Sequence, residues 1–159
     1  MGYKASILVV DDVPASRRFY ETVFGLEVEE DHGIYNVGFS GGLALYRREL
    51  FRELSGLPCE RLKGETAVVY FEDEDVSAVE ARLVAFPGTE LIHPAREQPW
   101  GQLAFRARDP DGHFLEIGED MAHCVRRMLA AGMNLAAIAQ KTGYTLEKTA
   151  SLAGGAPGA

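Results

Sequence analysis

The chain has 159 residues, 47% hydrophobic and 25% charged, which is the make-up of an ordinary soluble protein with enough chain to bury a core. A formal net charge of −8 argues against a nucleic-acid or anionic-membrane partner for the body of the protein; it is the balance of an ordinary soluble acidic protein and is compatible with a cationic ligand. Its two cysteines, Cys59 and Cys124, make neither a disulfide framework nor a zinc site and are expected to be reduced thiols in a cytoplasmic protein.

Taken in order, Ala5–Val10 is a β-branched run ended by Asp11, Asp12 and Pro14. Its apolar part is too short for the core of a signal peptide, and no stretch approaches a transmembrane span. From Ala15 to Phe24 the apolar residues Phe19, Tyr20, Val23 and Phe24 fall at helical spacing, with Gly25 placed to cap the helix. Leu26–Glu30, Ile34–Phe39 and Leu43–Arg47 read as strands separated by turns at Asp31–Gly33 and Ser40–Gly42. Glu49–Gly56 is a short helical or irregular connector closed by Gly56 and Pro58.

The order β, α, β, β, β then recurs. Thr66–Phe71 is a strand, and Val76–Phe86 is a helix stopped by Pro87 and Gly88. Thr89–His93 is a strand leading into a polar loop, Pro94–Gly101, and a hairpin follows. The turn of that hairpin is Asp109-Pro110-Asp111-Gly112, with Pro110 and Gly112 at favoured positions and Asp109 able to accept hydrogen bonds from residues ahead of it. If Gly112 is left-handed as a bulge, Arg106 comes opposite Glu116, and Leu103 and Phe105 join Leu115 and Ile117 on the buried face. The unbulged register would put Arg106 on the apolar face, which costs more.

The modules therefore span about residues 5–48 and 65–118 of a domain comprising residues 1–119. Residues 120–152 form a helical tail with expected helices at Met121–Gly132, Asn134–Thr142 and Leu146–Leu152, and residues 153–159 are expected to be disordered. Ala136–Thr149 has the spacing of a helix-turn-helix. Its second helix offers Thr145, Glu147, Lys148, Thr149 and Ser151, one base against one acid, too little for several phosphate contacts. A helical appendage is the reading adopted, its basic side chains complementing an acidic body.

Two βαβββ modules and a hairpin of the form PWG…DPDG-x-x-x-E resemble the vicinal oxygen chelate superfamily, which includes glyoxalase I, bleomycin-resistance proteins and extradiol dioxygenases. The segments RRFYETVFGLEV (Arg17–Val28) and HPAREQPWGQLAFRARDPDGHFLEIGE (His93–Glu119) carry the resemblance, most closely to bacterial members. It implies an α+β fold whose concave sheets enclose one cavity, and a homodimer. It also implies four metal-ligand positions, one on each of four cavity-lining strands. Those positions correspond here to Ala5, Ala44, Thr66 and Glu116.

Two alanines cannot coordinate, and one hydroxyl with one carboxylate is too little to hold an ion, so no metal or other cofactor is expected. His32, His93, His113 and His123 do not converge on Glu116 and read as surface or half-buried histidines. A partly buried Glu116 needs a partner, and the hairpin register supplies Arg106. The pair is read either as structural or as functional, with Arg106 binding an anionic group or Glu116 acting as a general base. Strand parity adds Ile7, Val9, Tyr46, Arg48, Thr66, Val68 and Tyr70 to the lining, with Trp100 at the mouth. The same residues would line a ligand pocket or fill a plain core.

The function expected is metal-independent binding of a small organic molecule, of the sequestering kind seen in bleomycin-resistance proteins. The principal alternative is a lyase, isomerase or dioxygenase of the glyoxalase type with a non-standard metal site, or a metal-free catalyst using Glu116. A structural or regulatory protein acting through its tail is the third.

Overall fold

The computed structural model describes residues 5–55 and 67–154, without the side chains of 54 and 55. The chain divides into two compact units, one of Met1–Val68, Arg82–Glu90 and Arg108–Phe114, the other of Val69–Ala81, Leu91–Ala107 and Leu115–Ala159. Among the described residues no helix is long and apolar enough to cross a membrane.

The first unit begins with β1 (Ser6–Val10), α1 (Val13–Phe24), β2 (Val28–Asp31), β3 (Asn36–Phe39), β4 (Leu43–Arg47) and α2 (Arg48–Ser55). Asp12 caps α1 by accepting from the Ala15 N–H, and Gly25 ends it at φ 67°, a left-handed conformation suited to glycine. The sheet runs β1-β4-β3-β2, with β1 and β4 parallel and in register Ile7↔Ala44 and Val9↔Tyr46. That register puts Ile7, Val9, Ala44 and Tyr46 on one face. Val10, Val37, Phe39 and Leu45 lie on the other, buried with Phe19, Tyr20 and Val23 of α1. The connector expected at 49–56 is α2, begun by Arg48; Gly56 and Pro58 lie outside the described residues.

The second sheet repeats this order as β5-β8-β7-β6. Its strands are β5 (Val69–Asp73), β6 (Glu90–Glu97), β7 (Leu103–Arg108) and β8 (Phe114–Glu119), with α3 (Val76–Ala85) after β5. The hairpin turn forms as expected: Gly112 is left-handed at φ 91°, its N–H donates to Asp109 O at 2.9 Å, and Asp109 N–H donates to His113 O at 3.1 Å. Phe105, Leu115 and Ile117 are fully buried, which follows from the bulged register.

The structure corrects the span expected as a loop from Pro94 to Gly101. Strand β6 continues through Pro94 to Glu97, and only Gln98–Gly101 is a turn, closed by Gln98 N–H to Gln102 O and Gly101 N–H to Gln98 O, both 2.8 Å. Proline reads as a breaker in sequence, but β6 is the sheet's edge, where a missing N–H leaves no ladder bond unmade. After β8 come α4 (Met121–Ala130), α5 (Leu135–Thr142) and α6 (Leu146–Leu152). Of residues 153–159, expected to be disordered, Ala153 and Gly154 instead close α6, donating to Thr149 O and Ser151 O respectively, both at 3.0 Å, while 155–159 lie outside the described residues, as does Cys59. Cys124 is a buried free thiol whose pKa is pushed up to about 11, first by burial and then by Glu119.

Candidate functional site

Period-two alternation along β5, β7 and β8 leaves one face of the second sheet open. Tyr70 pairs with Glu116 and Glu72 with Gly118 across the parallel β5/β8 ladder, so these side-chain positions share that face. Arg106 reaches Glu116 across the hairpin, its Nε donating to Oε2 at 2.7 Å and its Nη2 lying 2.5 Å from the same oxygen. The two side chains are 25% and 19% exposed, too buried for an unpaired charge and open enough for a ligand to touch.

His93 completes the group. Arg106 Nη1 donates to His93 Nε2 at 3.2 Å, and His93 Nδ1 lies 2.9 Å from Pro94 O. A guanidinium only donates and a carbonyl only accepts, so these two bonds require a neutral imidazole carrying its proton on Nδ1. Continuing β6 as a strand brings His93 to Arg106, and a reading that ended the strand at His93 missed it.

Beside this group runs a chain of hydrogen bonds. Trp100 Nε1 donates to Gln102 Oε1 at 2.9 Å, Gln102 Nε2 donates to the Tyr70 hydroxyl at 2.7 Å, and that hydroxyl donates to Glu72 Oε1 at 2.8 Å. Gln102 Nε2 also donates to Glu119 O at 2.8 Å. Burial raises the Tyr70 pKa above its ordinary value and Glu72 raises it further, against the lowering effect of Gln102, so the hydroxyl keeps its proton at neutral pH. Gly118 makes the crossing possible, because a Cβ there would lie 2.5 Å from Gln102 Nε2 and 2.8 Å from the Tyr70 oxygen. Neither Gln102 nor Gly118 stood out in sequence. The signal that could have found them is β-parity applied to β7 and β8 together with Tyr70.

The other residues expected in the lining fall as follows. Ile7 (46% exposed), Val9 and Tyr46 share the open face of the first sheet with Ala44. Arg48 begins α2, where its Nε donates to Asp11 Oδ1 at 2.5 Å. Val68 is exposed just ahead of β5, Trp100 stands half-buried in the β6–β7 turn, and Thr66 lies outside the described residues.

Judged by their donor chemistry, the residues at the metal-ligand positions do not fit a metal. Ala5 and Ala44 offer no side-chain donor atom, which leaves Glu116, with Oε2 already bonded to Arg106, as a single carboxylate, too few ligands to hold an ion. Among the described residues no three of His, Cys, Asp and Glu are grouped to hold an ion.

A second polar cluster lies at the end of β8. Glu119 is 1% exposed and accepts from Arg127 twice, Nε to Oε1 and Nη2 to Oε2, both at 2.8 Å, and from Leu103 N–H at 3.2 Å. His123 Nδ1 lies 3.0 Å from Glu119 Oε1. Burial would raise this carboxyl's pKa, but the bonds from Arg127 and Leu103 outweigh it and hold the value low.

A family model described as a glyoxalase-like domain matches residues 3–122. Among solved structures, a protein of unknown function from Agrobacterium tumefaciens is 37% identical, covering 76% of this chain and 94% of its own, with a TM-score of 0.66. A glyoxalase-related enzyme from Fulvimarina pelagi is 26% identical over 77% of this chain and 90% of its own, with a TM-score of 0.68. A glyoxalase/bleomycin resistance protein/dioxygenase from Nocardioides is 28% identical over 75% of this chain and 83% of its own, with a TM-score of 0.60. No curated protein matches.

Proposed function

Because this chain belongs to the family of glyoxalase-like domains, we propose that it binds a small organic molecule, with an aromatic ring and a cationic group, on the open face of the second sheet and without a metal. The observation that carries this reading is the Arg106–Glu116 pair, a guanidinium seated on the one carboxylate left at the metal-ligand positions. The pair fixes the floor of the face and supplies charge there without an ion.

The remaining chemistry sets the ligand class. Trp100 and Tyr70 offer ring surface, and each has its polar atom bonded within the relay. With His93 neutral, Glu72 and Glu116 outweigh Arg106, so the group favours a cation. The net charge of −8 acts in the same direction at longer range. The role is sequestration of such a compound, in a cytoplasmic homodimer; the location rests on the cysteine usage and the dimer on the family resemblance.

Thermal-shift screening with small cationic aromatics, their neutral isosteres and carboxylate analogues tests this. The cationic compounds should raise the unfolding temperature in a concentration-dependent way, since anything that binds only the folded state stabilises it. Trp100→Ala should weaken a hit by about threefold to thirtyfold, the range of one cation–π contact. Stabilisation by the carboxylates in preference to the cations, or hits indifferent to Trp100→Ala, Glu72→Gln and Tyr70→Phe, would overturn the reading.

A further inference from the structure

The family match ends at residue 122, and the helices beyond it make contacts aimed at one place. That place is the Gln98–Gly101 turn, which carries Trp100. Arg127 Nη2 donates to Gly101 O at 2.7 Å. Met128 and Lys141 close over the same residue: a Cβ on Gly101 would lie 2.9 Å from Met128 Sδ and 3.2 Å from Lys141 Cε, and its φ of 92° independently calls for glycine. Lys141 Nζ also reaches Glu97 Oε1 at 2.6 Å, on the strand residue that leads into the turn.

From these contacts we infer that the C-terminal helices are a positioning element for the binding face, with Arg127 fixing the Trp100 turn from behind. Arg127 is itself fixed. Its guanidinium is held bidentately by the buried Glu119, and the backbone carbonyl of Glu119 accepts from Gln102, which in turn holds the Trp100 indole. One arginine thus supports Trp100 through the turn's backbone and through the partner of its indole. The helices behind it are rigid enough to serve, because Met121, Cys124, Val125, Met128 and Ile138 form a buried cluster with Leu129, Met133 and Leu152 packed against it.

The inference rests on the binding face proposed above, but its test needs no ligand. Trp100 is the sole tryptophan of the chain, so fluorescence excited at the red edge, where tyrosine does not absorb, reports on that turn alone. Emission and acrylamide quenching are compared for the full chain and for Arg127→Ala, Arg127→Lys and Lys141→Ala, with far-UV circular dichroism to register folding. Arg126→Ala is the control, since Arg126 is exposed and pairs with Glu74 rather than the turn. Arg127→Ala and Lys141→Ala should move the emission to longer wavelength and steepen quenching while the helical signal persists. Arg127→Lys should recover part of the shift, and Arg126→Ala should match the wild type. Unchanged emission and quenching in folded Arg127→Ala and Lys141→Ala would overturn the inference. Should Arg127→Ala fail to fold, Lys141→Ala decides, because it removes a partly exposed ion pair and the alkyl cover over Gly101 while leaving the buried Glu119–Arg127 pair intact. A positive fluorescence result with no ligand found would contradict the proposed function and leave the positioning role standing.

Discussion

Arg106 and Glu116 hold each other in a setting where neither charge is comfortable alone. Truncating one partner leaves the other half-buried and unpaired, so Arg106→Leu or Glu116→Leu should each lower stability by about 1–3 kcal/mol. The double variant removes both charges and should lie closer to the wild type than the sum of the singles, a coupling that a urea-denaturation cycle reads directly. Additive losses would mean that the pair is not the organiser of this face. Gly118→Ala tests the neighbouring crossing: its Cβ must displace the Gln102 amide or the Tyr70 hydroxyl, at a cost of about 1–3 kcal/mol. A neutral Gly118→Ala would contradict the tight crossing.

His113 makes a prediction about pH. Its ring lies 2.8 Å from Asp109 Oδ2, which also accepts from Tyr20 Oη at 2.8 Å, and Asp109 is 2% exposed. Burial pushes the imidazole pKa down, but Asp109 and then Asp111 push it up further, and the net value lies above the ordinary 6.5. A group that holds its proton more tightly when folded stabilises most below its unfolded pKa, and the contribution fades as pH rises through the folded value. Stability should therefore fall from mildly acid to mildly alkaline pH, and His113→Gln should flatten that fall. A variant falling as steeply as the wild type would contradict the assignment.

At the scale of elements, the tail's attachment has the opposite sign. Glu119 holds a pKa below its ordinary value, so the stability it lends is present above the unfolded pKa and is lost as pH falls through the folded one. Glu119→Gln should be less stable at neutral pH and should lose less on acidification, as followed by the helical signal. An acid transition unchanged by the substitution would show that Glu119 does not anchor the helices.

The hairpin register was legible because two rules agreed: turn chemistry placed Gly112, and only the bulged register kept Arg106 off the apolar face. The rest of β6 was not, since Pro94 signals a break and only knowledge of the strand order reveals an edge. His93, Gln102 and Gly118 were hidden for a related reason. Each matters through a neighbour on another strand, and one strand's periodicity says nothing of such neighbours. The tail helices were legible from their spacing and glycines, and Gly143 does end α5 in a left-handed conformation at φ 77°. Their target at Gly101 was not, because the chain elsewhere offers many carbonyls to an arginine.

For the whole molecule, the repeated strand order and the family match place this chain among glyoxalase-like domains, while the residues at two of the metal-ligand positions carry no donor atoms. The absence of side-chain donors at Ala5 and Ala44 and the Arg106–Glu116 pair are what support the proposed metal-independent binding role. The preference for a cation in that proposal rests on the acidic side chains of the face and on the net charge of −8. The most direct test of that account is metal content by elemental analysis, after incubation of the full chain with zinc, nickel, manganese or ferrous iron and removal of free ion. The account predicts far less than one equivalent per chain under every condition, with no difference between the wild type and Glu116→Ala. Near-stoichiometric metal that disappears in Glu116→Ala would contradict it.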